Sequence, residues 1–118
     1  MDVRSVGEKG EKTAARYLKR KGYRIVEKNY SCRFGEIDII AENRQYIVFV
    51  EVKARNNNSI AAPREFVDPG KQKRIILTAQ MYMLHHHSDK QPRFDVIEVN
   101  TEKLLIGKID HVENAFGA

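Results

Sequence analysis

The chain has 118 residues, 42% of them hydrophobic and 31% charged, which is enough apolar material for one packed core and too little length for a second domain. No apolar run approaches the roughly 20 residues that span a bilayer, and the lone Cys32 can close no internal disulfide, so a membrane protein and a disulfide-stapled scaffold are both excluded. A single domain over residues 1–118, without an apolar leader and located in the cytoplasm, is the expectation.

The net charge of +5 is unevenly placed: residues 1–33 hold ten Lys or Arg against four Asp or Glu. That balance of +6 leaves −1 for the remainder and makes the first third the expected polyanion surface, with Lys19-Arg20-Lys21 as its densest run. From Val6 to Lys21 the apolar positions 6, 14, 15, 17 and 18 follow one face of a helix, which Gly22 ends. Glu11 lies along that buried stripe and needs a partner there; Glu8, one turn earlier, reads better as an acid favoured by the helix N-terminus.

Tyr23 to Tyr30 alternates as a strand, and Ser31-Cys32-Arg33-Phe34-Gly35 turns the chain into the stretch of greatest interest. Gly35-Glu36-Ile37-Asp38-Ile39-Ile40-Ala41 and Ile47-Val48-Phe49-Val50-Glu51-Val52-Lys53 are rich in the residue types that suit a pleated surface, and polar Glu42-Asn43-Arg44-Gln45 separates them. An antiparallel hairpin follows. With Asn43-Arg44 as its two loop residues, Asp38 faces Phe49, Glu36 faces Glu51, and Asp38 and Glu51 are diagonal neighbours about 7–8 Å apart. Carboxylates leaning inward from that distance can share a divalent cation, and Lys53 points the same way. Charges on so apolar a strand demand a partner or a metal, because an unpaired buried carboxylate costs several kcal/mol.

The polar segment Ala54 to Arg64 is expected to be a mobile loop beside this site. Asp68-Pro69 signals a helix start, with Asp68 as N-cap, and Ile75, Ile76, Ala79, Tyr82 and Met83 form its apolar stripe towards Leu84 or His86. Lys71 falls in the first turn, where the macrodipole opposes a cation and a ligand phosphate would relieve the conflict. His85-His86-His87 point about 100° apart on a helix and do not chelate together. Arg93 to Val99 and Leu104 to Ile109 are expected as two closing strands, with Ala115-Phe116 as a terminal turn. The element order is αβββαββ.

Several of these segments occur together in a known group: Gly7-x-x-Gly10-Glu11-x-x-Ala14, Gly35-Glu36-Ile37-Asp38, Phe49-Val50-Glu51-Val52-Lys53-Ala54-Arg55, Lys71 ahead of a helix, and Arg93-Phe94-Asp95-Val96. In this order they resemble the small bacterial YraN-like family, which is similar to Holliday-junction resolvases of the PD-(D/E)xK nuclease superfamily. Ile60-Ala61 departs from the Phe-Gly usual there. The resemblance implies an α/β, restriction-endonuclease-like mixed sheet flanked by helices. It also implies Mg²⁺, or Mn²⁺ in its place, held by Asp38, Glu51 and the Val52 carbonyl.

In the same reading Lys53 orients or activates a water, Glu11 holds Lys53 or a second metal, and Glu36 is a neighbour. Lys19, Arg20, Lys21, Arg55 and Lys71 would meet nucleic acid. The implied activity is Mg²⁺-dependent endonucleolytic cleavage of branched or structured DNA, with a homodimer as one way to cut a four-way junction symmetrically. A nucleic-acid-binding module of the same fold, cleaving little and acting in DNA repair or RNA handling, is the alternative.

Overall fold

The computed structural model describes residues 3–55, 67–100 and 109–117, with the side chains of residues 3–6 and 55 outside what is described. Helix α1 (Val3–Arg20) leads into strands β1 (Arg24–Cys32), β2 (Gly35–Glu42) and β3 (Tyr46–Arg55). Helix α2 (Pro69–His86) is then followed by β4 (Gln91–Asn100) and β5 (Ile109–Phe116). This is the expected order αβββαββ, in one five-stranded mixed sheet whose strands lie β1-β2-β3-β4-β5. Only β3 and β4 run parallel, and α2 makes their crossover. No helix among the described residues is long and apolar enough to cross a membrane.

A helix covers each face of the sheet, so β3 must be apolar on both sides, and Ile47, Val48, Phe49 and Val50 are all buried. Ala14, Ala15 and Leu18 of α1 pack over Ile39, Val48, Val50, Ile97 and Val99 on one face. On the other, Ile75, Ala79 and Tyr82 of α2 pack over Ile40, Ile47, Phe49 and Val96.

The C-terminus of α1 is closed by the left-handed Gly22, whose N–H donates to the Lys19 carbonyl at 3.0 Å while the Tyr23 N–H reaches Leu18 at 3.0 Å. Gly10 matters nearer the middle of that helix. A Cβ there would lie 2.5 Å from the Ala54 Cβ, so glycine is what lets α1 cross β3 closely at Val52 and Ala54.

Two expectations change. The β2–β3 turn runs from Asn43 to Tyr46, with Asn43 Oδ1 accepting the Gln45 and Tyr46 N–H groups at 3.0 and 2.8 Å. The two central residues are therefore Arg44 and Gln45, not Asn43 and Arg44, and Glu42 pairs with Ile47 where Gln45 was expected. The last strand is Ile109–Phe116, so Ala115 and Phe116 end a strand where a turn was expected. The expected strand from Leu104 lies outside the described residues up to Ile109. Polar Asp110-His111-Val112-Glu113-Asn114 is an edge strand, and its His111 side chain faces inward to buried Asp95.

Candidate active site

The pairing of β2 with β3 stops at Ile39 and Val50, while β2 stays paired with β1 back to Gly35 and β3 stays paired with β4 on to Arg55. Asp38 and Glu51 are the first residues past that last rung. A two-residue shift in register leaves every side chain on its face, so both acids still point to the α2 side, now directly opposite each other instead of diagonal. Asp38 Oδ2 accepts the Val52 N–H at 2.8 Å, which takes up a backbone donor that the broken ladder leaves over and fixes the carboxylate across the gap.

Glu51 is buried, and its Oε2 meets Lys71 Nζ at 2.5 Å and Lys53 Nζ at 3.3 Å. Lys71 arrives from the first turn of α2, where Asp68 Oδ1 caps the helix by accepting the Lys71 N–H at 2.8 Å. Glu51 thus supplies the anion that the position of Lys71 against the macrodipole calls for. Burial works against charge on Lys71, yet the hydrogen bond and attraction of Glu51, with Lys53 and Asp38 adding to them, hold its pKa above the ordinary lysine value.

Gly35, Glu36, Asp38, Glu51, Lys71, Arg74 and Ile75 line an open pocket of about 140 Å³. Burial first, and then the charge of Glu51, push the Asp38 carboxyl up to about 7, against the Val52 N–H and Lys71, which lower it. Near neutral pH Asp38 is therefore only partly ionised, because burial and the charge of Glu51 outweigh the groups that favour its carboxylate form. Hard carboxylate oxygens in that condition suit a divalent cation such as Mg²⁺. Among the described residues no three of His, Cys, Asp or Glu come together as a metal cluster. A cation here would draw on Asp38, Glu51 and a backbone oxygen such as that of Val52, with water and substrate completing the shell.

Glu11 reaches the same neighbourhood from α1. Burial raises its carboxyl, the Asn29 hydrogen bond and Lys28 pull it part of the way back, and Glu36 and Glu51 add to the rise. The structure gives it Asn29 as a hydrogen-bond partner, while Lys53 is held by Glu51. Asn29 stands across from Asp38 on β1 with φ 54, and the ladder skips that pair. Asn is one of the few side chains that enter the left-handed region readily, which is the only sequence signal for this residue.

Arg74 carries no signal of its own in the sequence; it lies three residues beyond Lys71 and therefore on the same side of α2. Glu98 is a further acid missed from sequence, buried on β4 as the cross-strand neighbour of Lys53.

The cationic residues divide. At about 100° per residue, Lys9, Lys12, Arg16, Lys19 and Arg20 fall within about 100° of arc on α1, and they form its basic face. Lys21 lies past the helix end with its ammonium 5.6 Å from the centre of the Tyr17 ring, away from that stripe. Ala54 and Arg55, expected to open the loop over Ala54–Arg64, belong to β3 by their backbone, while the Arg55 side chain and loop residues 56–64 lie outside the described residues. His85 and His86 each bond a carbonyl one turn back, Met81 at 2.8 Å and Tyr82 at 2.9 Å.

A second charged cluster, away from the pocket, ties the sheet to α1. Asp95, fully buried, accepts Arg93 Nε at 2.9 Å and the Asn114 N–H at 3.0 Å on Oδ1. Its Oδ2 contacts Arg93 Nη2 at 2.8 Å and His111 Nε2 at 2.7 Å. Arg93 continues to the Tyr23 hydroxyl at 2.6 Å, and His111 Nδ1 pairs with the Tyr17 hydroxyl at 2.9 Å.

The model of the group described as "Uncharacterised protein family UPF0102" matches residues 10–99 of this chain. The chain belongs to the UPF0102 family. It is 50% identical over 119 residues to a UPF0102 protein of Caldanaerobacter subterraneus subsp. tengcongensis, covering 98% of each chain. A Clostridioides difficile UPF0102 protein is 46% identical, over 98% of this chain and all of its own length. One from Persephonella marina is 43% identical, over 93% of this chain and 91% of its own. The stretch matched by the UPF0102 model contains Glu11, Asp38, Glu51, Lys53 and Lys71, so the whole pocket falls within it.

Proposed function

We propose that this UPF0102 chain is a divalent-cation-dependent endonuclease acting on branched or structured DNA. The observation that carries the reading is the meeting of Asp38, Glu51, Lys53 and Lys71 where β2 and β3 part, beside an open pocket. Mg²⁺, or Mn²⁺, bound there would screen phosphate charge and acidify a water for in-line attack. Asp38, fixed by the Val52 N–H, and Glu51 supply its anionic ligands. Lys53, in reach of Glu51, orients the attacking water or takes its proton. Lys71 and Arg74, one turn apart on α2, face the phosphate on the other side of the pocket.

The stripe of Lys9, Lys12, Arg16, Lys19 and Arg20 on α1 follows the nucleic-acid backbone leading to the site. Cutting a four-way junction symmetrically takes two such pockets, which a homodimer supplies, and DNA as substrate places the protein in the cytoplasm.

The second reading, a nucleic-acid-binding module of the same fold, draws on one observation: both lysines already satisfy Glu51 without a cation. Purified protein should be assayed on junction, flap, single-stranded and duplex DNA, and on RNA, with Mg²⁺, Mn²⁺ or EDTA. Cation-dependent cleavage of junction or flap is expected. Tight binding with no cleavage of any substrate under any cation would overturn the enzyme and favour the module.

A further inference from the structure

We propose that Lys71 is a built-in counter-ion that occupies the cation's place on Glu51, and that it gives up that oxygen when a divalent cation binds and turns to the substrate phosphate. This rests on the reading of the pocket as a metal site. The two acids are held differently. Asp38 is tied to the Val52 N–H and cannot turn from the gap, whereas Glu51 has both of its described ion pairs with lysine ammonium groups on a single oxygen, Oε2. The shorter contact, 2.5 Å, belongs to Lys71, and the longer, 3.3 Å, to Lys53. An ammonium in hydrogen-bonding contact and a divalent cation compete for one carboxylate, because each is stabilised by its negative charge and the two cations repel.

The setting lets Lys71 move. Its side chain keeps about a third of its surface exposed, so leaving Glu51 disturbs no part of the core. It rises from the first turn of α2, whose N-terminal dipole favours an anion, with Arg74 lining the same pocket. An ammonium displaced from Glu51 therefore remains among groups that attract phosphate. Lys53 belongs to the same strand as Glu51, two residues on, and stays beside it whether or not a cation is bound. The arrangement couples two events: a cation on Asp38 and Glu51 frees a phosphate ligand, and a phosphate on Lys71 frees a cation ligand. By linkage each must strengthen the other's binding by the same factor.

Calorimetric titration of the full chain with Mg²⁺ tests this in the parent, Lys71→Met and Lys53→Met. If Lys71 holds Glu51 in about nine molecules of ten or more, removing it should tighten Mg²⁺ by about tenfold or more, since a site available only part of the time binds in proportion to that fraction. Lys53→Met should change the affinity by less than about threefold on the same argument. An unchanged or weaker affinity in Lys71→Met would overturn the proposal while leaving the metal reading in place. Equal tightening in both variants would also overturn it, because net charge and not the Lys71 contact would then set the affinity. No Mg²⁺ binding by any of the three removes the metal reading itself, and the exchange with it.

A second measurement needs no variant. Acylation of the parent by a lysine-selective reagent, read peptide by peptide by mass spectrometry, should label Lys71 faster with Mg²⁺ than without. Equal labelling would contradict its release.

Discussion

Two ammonium groups converge on one oxygen of Glu51, and the proposed function gives them different work. Lys53 is the candidate for handling the attacking water, so Lys53→Ala should keep most of the Mg²⁺ affinity while cleavage falls by about 10²–10⁴-fold, the usual contribution of a positioned acid or base. Cleavage within about tenfold of the parent, measured on the best substrate at saturating Mg²⁺, would remove Lys53 from that role. Asp95 carries a different kind of prediction. Burial alone would raise its carboxyl, but the hydrogen bonds from His111, Arg93 and the Asn114 N–H outweigh burial and hold it below the ordinary value.

A pKa lower in the folded than in the unfolded chain means that the unfolded chain binds the extra proton. The stabilisation is therefore present above about pH 4 and disappears as pH falls through the folded value. Asp95→Asn should cost about 3–5 kcal/mol at neutral pH by leaving Arg93 without its buried anion. That difference should shrink in chemical unfolding below about pH 4; a difference constant from pH 7 to 3 would contradict the assignment.

At the scale of elements, α1 gathers scattered cations into one stripe. Replacing Lys9, Lys12, Arg16 and Lys19 by Ala should lower the slope of log affinity against log salt on duplex DNA by about 0.9 for each phosphate that the variant no longer neutralises. Lys21→Ala should leave it unchanged, and fluorescence anisotropy across a salt series reads both. Equal slopes in the parent and the fourfold variant would take α1 out of the binding surface.

The sequence makes α1 and α2 legible through Gly22, the Asp68-Pro69 start and their apolar stripes. It makes β2 and β3 legible through alternation and the apolar run from Ile47 to Val50. Strand parity also places Asp38, Glu51 and Lys53 on one side of the sheet, and that survives the register change because the shift is by two residues. What stays hidden is long-range. The Asn43 side chain sets the turn one residue later than the expected Asn43-Arg44 loop, and β5 is hard to read because its inward His111 is polar and made acceptable by Asp95. The contact between Lys71 and Glu51 depends on where α2 docks, which local pattern does not encode.

Taken as one molecule, the chain uses its sheet as a wedge. β2 leans on β1 and β3 on β4, so the place where these two central strands let go of each other is the one flanked by Asp38 and Glu51. Both helices reach that opening, α1 through Gly10 and Glu11 and α2 through Lys71 and Arg74, while the Asp95 network ties the far strands to α1. Opening the strands exposes backbone donors and brings acids together, and the fold satisfies the first with Asp38 and the second with lysines. On the proposed function, Asp38 and Glu51 are brought together here to hold a metal. Anomalous diffraction from crystals grown with Mn²⁺, a cation that accepts the same oxygen ligands as Mg²⁺, tests it most directly. A manganese peak is expected between the carboxylates of Asp38 and Glu51, with Lys71 withdrawn from Glu51; crystals with both acids ordered, Lys71 still on Glu51 and no peak between them would rule a metal site out.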